Sequence, residues 1–351
     1  MNIQRMQEMA NGDSPTYIVA IETSCDETSA AVVRDGKEVL SNVVSSQVDI
    51  HQKFGGVVPE VASRKHVESV SWIIEQAFEE AGIAPHEVAA VAVTQGPGLV
   101  GSLLVGMVAA KALAFALGKP LIGVHHIAGH IYANQLVHDL QYPLVALVVS
   151  GGHTELVHVE TEGRFRIIGQ TRDDAAGEAY DKVARALKLP YPGGPHVDLL
   201  AHEADEAVEM PRAWLESNSY DFSFSGLKSA VMAALNQARM KGIELAPSAV
   251  ARGFQDSVID VLVNKSLRAA RDVGARQLLL AGGVAANKGL RTELAARCSA
   301  EGLPLLVPPL SLCTDNAAMI AAAAFLKLRR GQYSSLTMKA EPLMKLESWS
   351  V

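Results

Sequence analysis

Twice the sequence runs through the same unit: an apolar strand, a turn rich in hydroxyls or glycines, and a second apolar strand. The first copy is Tyr17-Ile18-Val19-Ala20-Ile21, then Glu22-Thr23-Ser24-Cys25-Asp26-Glu27-Thr28, then Ser29-Ala30-Ala31-Val32-Val33. The second is Leu144-Val145-Ala146-Leu147-Val148-Val149, then Ser150-Gly151-Gly152-His153-Thr154, then Glu155-Leu156-Val157-His158-Val159. Short apolar runs bounded by turn residues read as buried strands. Asp35-Gly36 signals a hairpin from the first copy into a third strand. The repetition is one of supersecondary structure and not of sequence, and it sets a boundary near residue 141.

Helical periodicity fills the intervals. Helices are predicted over residues 66–81, 99–117, 248–272, 287–300 and 315–329, and strands over 88–94, 121–124, 277–280 and 305–307. A strongly polar helix is expected to bear Asp173, Asp174, Glu178 and Asp181. Strands alternating with helices indicate α/β layers. A length of 351 residues suits two domains at about 100–200 residues each. The expected division is a disordered extension over 1–15, a first domain over 16–140 and a second over 141–351, whose last helices have the option of packing back on the first.

Hydrophobic residues at 49% give material for a full core, and the formal net charge of −7 argues against a stand-alone nucleic-acid binder. Local basic groups occur at Arg64-Lys65-His66 and at Lys182, Arg185 and Lys188; a solvated face is the competing reading. Three cysteines, Cys25, Cys298 and Cys313, make no disulfide framework and fit a reducing cytosol. Residues 1–15 lack the apolar run of a signal peptide. The stretch 99–117 is long and apolar enough to resemble a membrane span but contains Lys111 and small residues, so a buried helix is expected and no membrane partner.

Chemistry-bearing residues fall in three groups. In His125-His126-Ile127-Ala128-Gly129-His130, a helix would put His126 and His130 on one face, a natural pair of metal ligands. A satisfied histidine cluster is the alternative. Cys313-Thr314-Asp315-Asn316 offers Asp315 as a third ligand or, with Thr314, as a plain helix N-cap. Two His and one carboxylate with open positions suit Fe(II) or a similar ion. Ile127 stands where a HExxH peptidase would carry its general base. The turn at 150–154 presents backbone N–H groups of the kind that form anion nests, or is a plain hairpin. Pro192-Gly193-Gly194-Pro195 and Ala281-Gly282-Gly283-Val284-Ala285-Ala286-Asn287 are glycine-rich turns open to a phosphate or nucleoside. Neither is a GxGxxG or Walker A pattern. Asp181 and Asp198 are candidates for ribose hydroxyls, or surface carboxylates. Cys25, flanked by Asp26 and Glu27, is a poor nucleophile.

These segments together resemble the tRNA N6-adenosine threonylcarbamoyltransferase family. The resemblance rests on Ile-Glu-Thr-Ser-Cys-Asp-Glu-Thr at 21–28, Gly-Gly-Val-Val-Pro-Glu at 55–60 with Ala-Ser-Arg at 62–64, and Gly-Pro-Gly-Leu-Val-Gly at 96–101. It continues through His-His-Ile-Ala-Gly-His at 125–130, Val-Ser-Gly-Gly-His-Thr at 149–154 and Asp-Asp-Ala-Ala-Gly-Glu-Ala-Tyr-Asp-Lys at 173–182. Phe-Ser-Phe-Ser-Gly-Leu-Lys at 222–228, Ala-Gly-Gly-Val-Ala-Ala-Asn at 281–287 and Cys-Thr-Asp-Asn at 313–316 complete it. The resemblance implies an α/β, two-domain actin/hexokinase/Hsp70-like fold with duplicated mixed sheets flanked by helices and an active-site cleft between the domains. It implies transfer of a threonylcarbamoyl group from threonylcarbamoyl-AMP to N6 of the adenosine 3′ of the anticodon. The implied metal, Fe(2+) or Zn(2+), is held by His126, His130 and Asp315. The implied adenine-nucleotide site, for the adenylate or ATP, is Val148, Val149, Ser150, Gly151 and Gly152 with Asp181, Gly194, Asp198 and Asn287. Implied partners are tRNA, a degenerate paralogue and a small P-loop ATPase, all cytoplasmic. The rivals are a small-molecule kinase of the same fold, a metallopeptidase and a structural subunit.

Overall fold

The structure, a computed structural model, describes residues 15–350 apart from Leu215 and Ser217. The expected disordered extension over 1–15 lies, but for residue 15, outside the described residues. In chain order the strands are β1 (Tyr17–Glu22), β2 (Glu27–Arg34), β3 (Glu38–Ser46), β4 (Ala90–Gly96), β5 (Leu121–His125), β6 (Leu144–Val149), β7 (Thr154–Thr161), β8 (Arg164–Gln170), β9 (Gln277–Ala281) and β10 (Leu305–Leu306). The longer helices are α1 (Pro59–Ala81), α2 (Val100–Leu117), α3 (His126–Ala133), α4 (Ala176–Ala186), α5 (Gly193–His202), α6 (Ser225–Met240), α7 (Pro247–Asp272), α8 (Lys288–Ala300) and α9 (Ala317–Arg329).

Two five-stranded sheets share one plan. The first has the order β3-β2-β1-β4-β5 and the second, read from the opposite edge, the order β10-β9-β6-β7-β8. In the first, β1 pairs antiparallel with β2 (Val19 opposite Val32) and parallel with β4 (Val19 opposite Val91). In the second, β6 pairs antiparallel with β7 (Ala146 opposite Val157) and parallel with β9 (Ala146 opposite Leu279). The duplicated unit read from the sequence is therefore a duplicated half-sheet. Strands covered on both faces read as unbroken apolar runs rather than alternating ones, and β1 and β6 are of this kind, buried along almost their whole length.

The chain divides into two compact units. The first comprises the described parts of Met1–Ile50, Val57–Asp139 and Thr314–Val351; the second comprises His51–Gly56 and Leu140–Cys313. The second sheet lies within Leu140–Cys313, and residues 314–351, whose packing back on the first domain the sequence reading left open, lie in the unit of the first sheet. The physical reason is α9: its alanine-rich surface packs on β1, β2 and α3, where small side chains let helix and sheet approach. In the first unit, α1 and α2 bury Val70, Phe78, Ala110 and Ala114 against Val19, Ile21 and Val91 of one sheet face. In the second, Tyr180 of α4 and Phe254, Val258 and Leu262 of α7 close over Val145, Leu147 and Val149.

Several sequence expectations shift. Helix α1 starts at Pro59 rather than residue 66, because Pro at the first turn removes an N–H that has no helical partner anyway. Asp173 and Asp174 precede α4 instead of lying within a helix. The Gly193-Gly194-Pro195 turn is itself the start of helix α5. Helix α2 is not wholly buried. Its Ser102, Leu103, Gly106, Met107, Ala110 and Ala114 are covered, while Val100, Leu104, Val108 and Phe115 remain exposed. It is the one helix among the described residues long and apolar enough to cross a membrane by length and composition.

The β2–β3 turn carries Asp35 at φ 54° and Gly36 at φ 66°, the pair of left-handed residues that a tight hairpin uses. A Cβ at Gly36 would lie 2.4 Å from the Phe325 ring of α9. Gly36→Val should therefore lower stability by about 1–3 kcal/mol through backbone strain and overpacking, read as a fall in the midpoint of chemical denaturation.

Candidate functional site

The turn between β1 and β2 is pinned from two helices. His66 of α1 donates from Nε2 to the Cys25 carbonyl (2.9 Å), so its Nδ1 accepts from the Thr28 hydroxyl (2.8 Å). Thr23 donates to the Ser102 carbonyl of α2 (2.8 Å), and the Ser102 hydroxyl donates to Cys25 O (3.2 Å). Buried and hydrogen-bonded in this way, His66 is not part of a basic surface patch.

This turn meets α3. His126–Ala133 is helical, so His126 and His130 do share a face; their rings stand edge to face with centroids 4.7 Å apart. Asp315 lies just before α9. Its Oδ1 is 3.4 Å from His126 Nε2 and 3.1 Å from His130 Nε2, and the three donor atoms lie within 4.8 Å of one another. Asp315 is not the N-cap of α9: Asn316 is, its Oδ1 accepting from Met319 N–H (3.1 Å). The carboxylate is thereby left facing the imidazoles.

A residue that sequence reading passed over completes the cluster. Glu22, the last residue of β1, is fully buried. It accepts from the Thr94 hydroxyl (2.6 Å) and the Ser24 amide, and from His126 Nδ1 (3.1 Å). The Nδ1 proton is thus held by Glu22, and Nε2 faces Asp315, carrying a second proton when the imidazole is charged and leaving its lone pair for a cation when it is not. A carboxylate on the far nitrogen of a metal-binding imidazole fixes its tautomer and orientation. The signal available in the sequence was a carboxylate ending an otherwise apolar strand.

Two observations fit this donor set to a cation. Both ring nitrogens of buried His130 lack a hydrogen-bond partner, although Nε2 faces a carboxylate. Negative charge also accumulates nearby: burial, then Asp26, Asp315 and Glu27, push the Cys25 thiol well above its usual range, and burial, Asp26 and Asp315 do the same to the Glu27 carboxyl. The raised thiol removes Cys25 as a nucleophile. Ile127, 1% exposed, is packed in the core and offers no base.

The second unit gathers the other candidates. Val148 and Val149 point into the core, so only their backbone is available to a ligand. In the turn that follows, Ser150 N–H donates to His153 O (2.8 Å) and Ser150 O accepts from Gly177 N–H at the start of α4 (3.2 Å). Gly151 and Gly152 have open space where a Cβ would be, as has Gly194. Asp181 accepts from Gly193 N–H (2.7 Å) and so anchors the start of α5. Asp198 caps α8, accepting from Lys288 N–H (2.8 Å) and Gly289 N–H (3.3 Å), and Asn287 caps the same helix through Leu290 N–H (2.7 Å). Gln255 of α7 ties them together: its Nε2 donates to Asp198 (2.9 Å), while its Oε1 accepts from Asn287 (2.9 Å) and from Tyr180 (3.2 Å). Gln255 and Tyr180 were not candidates from sequence. Of the basic residues, Lys65 pairs with Glu68 (2.6 Å), Lys182 with Asp174 (2.5 Å) and Glu178 (2.9 Å), and Arg185 donates to Gly55 O (2.5 Å). The charges of Lys65 and Lys182 are thus paired within the chain, whereas Arg185 meets a neutral carbonyl.

Solved structures of similar fold include full-length HypF in its phosphate- and nucleotide-bound form (TM-score 0.60, 14% identity, 91% of this chain and 47% of that one). Another is the activator of the 2-hydroxyisocaproyl-CoA dehydratase from Clostridium difficile with bound ADPNP (TM-score 0.53, 14% identity, 91% and 97%). With its two sheets of like topology, the fold is that of the actin-like two-domain α/β proteins. A sequence model of the tRNA N6-adenosine threonylcarbamoyltransferase family matches residues 38–322. Proteins of that name from Geobacillus thermodenitrificans (62% identical over 331 residues, 94% of this chain and 97% of that one) and Geobacillus kaustophilus (61% over 338 residues, 96% and 99%) align with nearly the whole sequence. The chain belongs to this family and is an enzyme of the acyltransferase class.

The geometry around His126 has two measurable consequences. Glu22→Gln should weaken divalent-metal affinity about 10- to 100-fold, measured by chelator competition; unchanged affinity would show that Glu22 does not orient the ligand. Burial disfavours the charged His126, but Asp315 and Glu22 outweigh it and raise its pKa from 6.5 to about 9. A group raised on folding stabilises the folded state fully below its unfolded pKa, and that contribution is lost as pH rises through the folded one. The metal-free protein should therefore lose thermal stability between pH 6.5 and about 9 relative to a His126→Asn variant, followed by scanning calorimetry.

Proposed function

We propose that this enzyme transfers the threonylcarbamoyl group of threonylcarbamoyl-AMP to N6 of the adenosine directly 3′ of the anticodon (position 37) in tRNAs reading codons that begin with A. In this reading His126, His130 and Asp315 hold a divalent ion, Fe(2+) or alternatively Zn(2+). The observation that carries it is the approach of Asp315 Oδ1 to both imidazole Nε2 atoms, at 3.4 and 3.1 Å. Two imidazoles and one carboxylate leave positions open to a substrate oxygen. When bound, the ion supplies Lewis-acid polarisation of the carbamoyl carbonyl.

The chain's own groups do the rest. Glu22 keeps the His126 proton on Nδ1. Val148, Val149, Ser150, Gly151 and Gly152 offer backbone to the phosphate, with N–H groups at the turn suited to an anion. Gly194 leaves room for the nucleoside, and Asp181, Asp198 and Asn287 fix the helix starts around it. N6 attacks the carbonyl carbon, a C–N bond forms and N6 gives up one proton. The bond from that carbon to the phosphate oxygen breaks, and AMP leaves with its electron pair. The pocket takes an adenine nucleotide, the adenylate or ATP.

Transfer takes place in the cytoplasm, in a complex with a degenerate paralogue and a small P-loop ATPase. The exposed apolar stripe on α2 supports a protein partner: Val100, Leu104, Val108 and Phe115 are 58%, 48%, 64% and 78% exposed. The net charge of −7 and the paired state of Lys65 and Lys182 support shared rather than unaided tRNA binding.

The test is reconstitution with tRNA, threonine, bicarbonate, ATP, the adenylate-forming synthase and both partners, with threonylcarbamoyladenosine read by mass spectrometry of digested tRNA. Product is expected with the native chain and at least about 100-fold less with Asp315→Ala, since loss of a metal ligand removes more than loss of its outer partner. No product, where a homologue is active under the same conditions, overturns the reading in favour of a kinase of this fold.

A further inference from the structure

We infer that residues 332–349 form a strap that positions the metal-bearing helix α3 through the hydrogen bond of Met344 to His125, which makes His125 a positioning residue for the site. The inference rests on the metal reading above.

The strap first covers the exposed edge of the first sheet, since β5 ends the order β3-β2-β1-β4-β5. An uncovered edge leaves backbone groups unpaired. Ser334 N–H donates to Leu121 O (2.8 Å), and Ser334 Oγ accepts from Gly123 N–H (2.9 Å). Trp349 Nε1–H donates to Gly123 O (2.9 Å). Trp349 and Leu346 are each 1% exposed, and Lys327 of α9 sits 4.6 Å from the Trp349 ring centroid. Between these anchors the strap crosses the end of β4: Glu341 N–H donates to Gln95 O (2.9 Å), Gln95 Nε2 donates to the Glu341 carboxylate (2.7 Å), and Pro342 O accepts from Gly98 N–H (3.2 Å).

Beyond that crossing lies Met344, whose carbonyl is 3.1 Å from His125 Nε2. On the other side of the same ring, Ile127 N–H donates to His125 Nδ1 (3.1 Å), so the His125 side chain is the N-cap of α3. A neutral imidazole has one donor and one acceptor. The two bonds are compatible only with the tautomer protonated on Nε2, and each requires the other's nitrogen to be in its place. The next residue is His126, and His130 follows one turn on. The strap thus sets the ring that sets the first turn of the helix bearing both imidazoles.

Full-length protein is titrated with Co2+, and affinity and the d–d absorption envelope are recorded. Asn places an amide oxygen where His125 Nδ1 lies but cannot reach Met344, so it keeps the cap and drops the strap contact. His125→Ala should bind Co2+ about five- to tenfold more weakly, the size of a lost helix cap. His125→Asn should be intermediate, and both should show a changed envelope. Trp349→Phe, which keeps the ring and removes the N–H anchor, should be weaker than native by a smaller factor. Native affinity and envelope in His125→Asn would overturn the role of the strap, and in His125→Ala the role of His125 altogether. Should His125→Ala fail to fold, His125→Asn and Trp349→Phe decide: native binding in both overturns the inference. Absence of Co2+ binding by the unaltered chain overturns the metal reading itself and this inference with it.

Discussion

Close contact between α9 and α3 decides where the carboxylate falls relative to the two imidazoles. Asp315 and His130 are far apart in sequence, and neither contains information about the other. What joins them is size. A Cβ at Gly129 of α3 would lie 2.8 Å from Ile320 Cδ1, and α9 presents Ala317, Ala318 and Ala321 to Ala324 with almost no exposure. Small residues on both sides let the helices meet, and packing at interior density then leaves little freedom in how far α9 projects. The first amides of α9 have partners outside the helix: Ala317 N–H donates to Ser29 Oγ (2.9 Å) and Ala318 N–H to Asn42 Oδ1 (3.3 Å). With Asn316 capping, the start of the helix is fixed to two strands of the first sheet, and Asp315 stands immediately before that fixed point.

Electrostatics then runs against packing. Glu22 and Asp315 bring two carboxylates to one imidazole in a buried region, beside Asp26 and Glu27. Burial alone would favour neutral His126; the carboxylates reverse that. Uncompensated carboxylates at low dielectric are costly, and a divalent cation offsets more of that cost than one protonated imidazole does. Burial first, and then the same concentration of charge, raises the Cys25 thiol well above its usual range. A buried cluster of carboxylates that would favour a cation is a poor place for a thiolate.

The parts of this that sequence made legible are those governed by local rules. Buried strands are continuous apolar runs, Asp35-Gly36 is hairpin chemistry, and the spacing of His126 and His130 is helical geometry. The failures share a cause as well. Helix α5 begins Gly193-Gly194-Pro195, residues that read locally as a turn and become helical because Asp181, on another element, accepts the Gly193 amide. His66 sits among basic neighbours, and only the fold reveals that it faces inward. Asp315 competed with Thr314 for a capping role that Asn316 takes. The strap has no periodicity to read: its hydrogen bonds go to β4 and β5, more than 200 residues earlier in sequence.

The second unit adds a different lesson about its polar residues. Asp198, Asn287, Gln255 and Tyr180 form one connected network in which nearly every group already has a partner within the chain. Satisfied buried networks rigidify what they join, and here they join the middle of α5 and the start of α8 to α7. Asp198 accepts three of these bonds, and a carboxylate has room for about four. The backbone at Gly151, Gly152 and Gly194 has open space beside it. Within the chain itself Asp181, Asp198 and Asn287 hold helix starts in place beside the glycine-rich backbone. Anion recognition by backbone asks only for residues without bulky side chains at the right positions, so a site of that kind would need neither a dinucleotide nor a P-loop fingerprint.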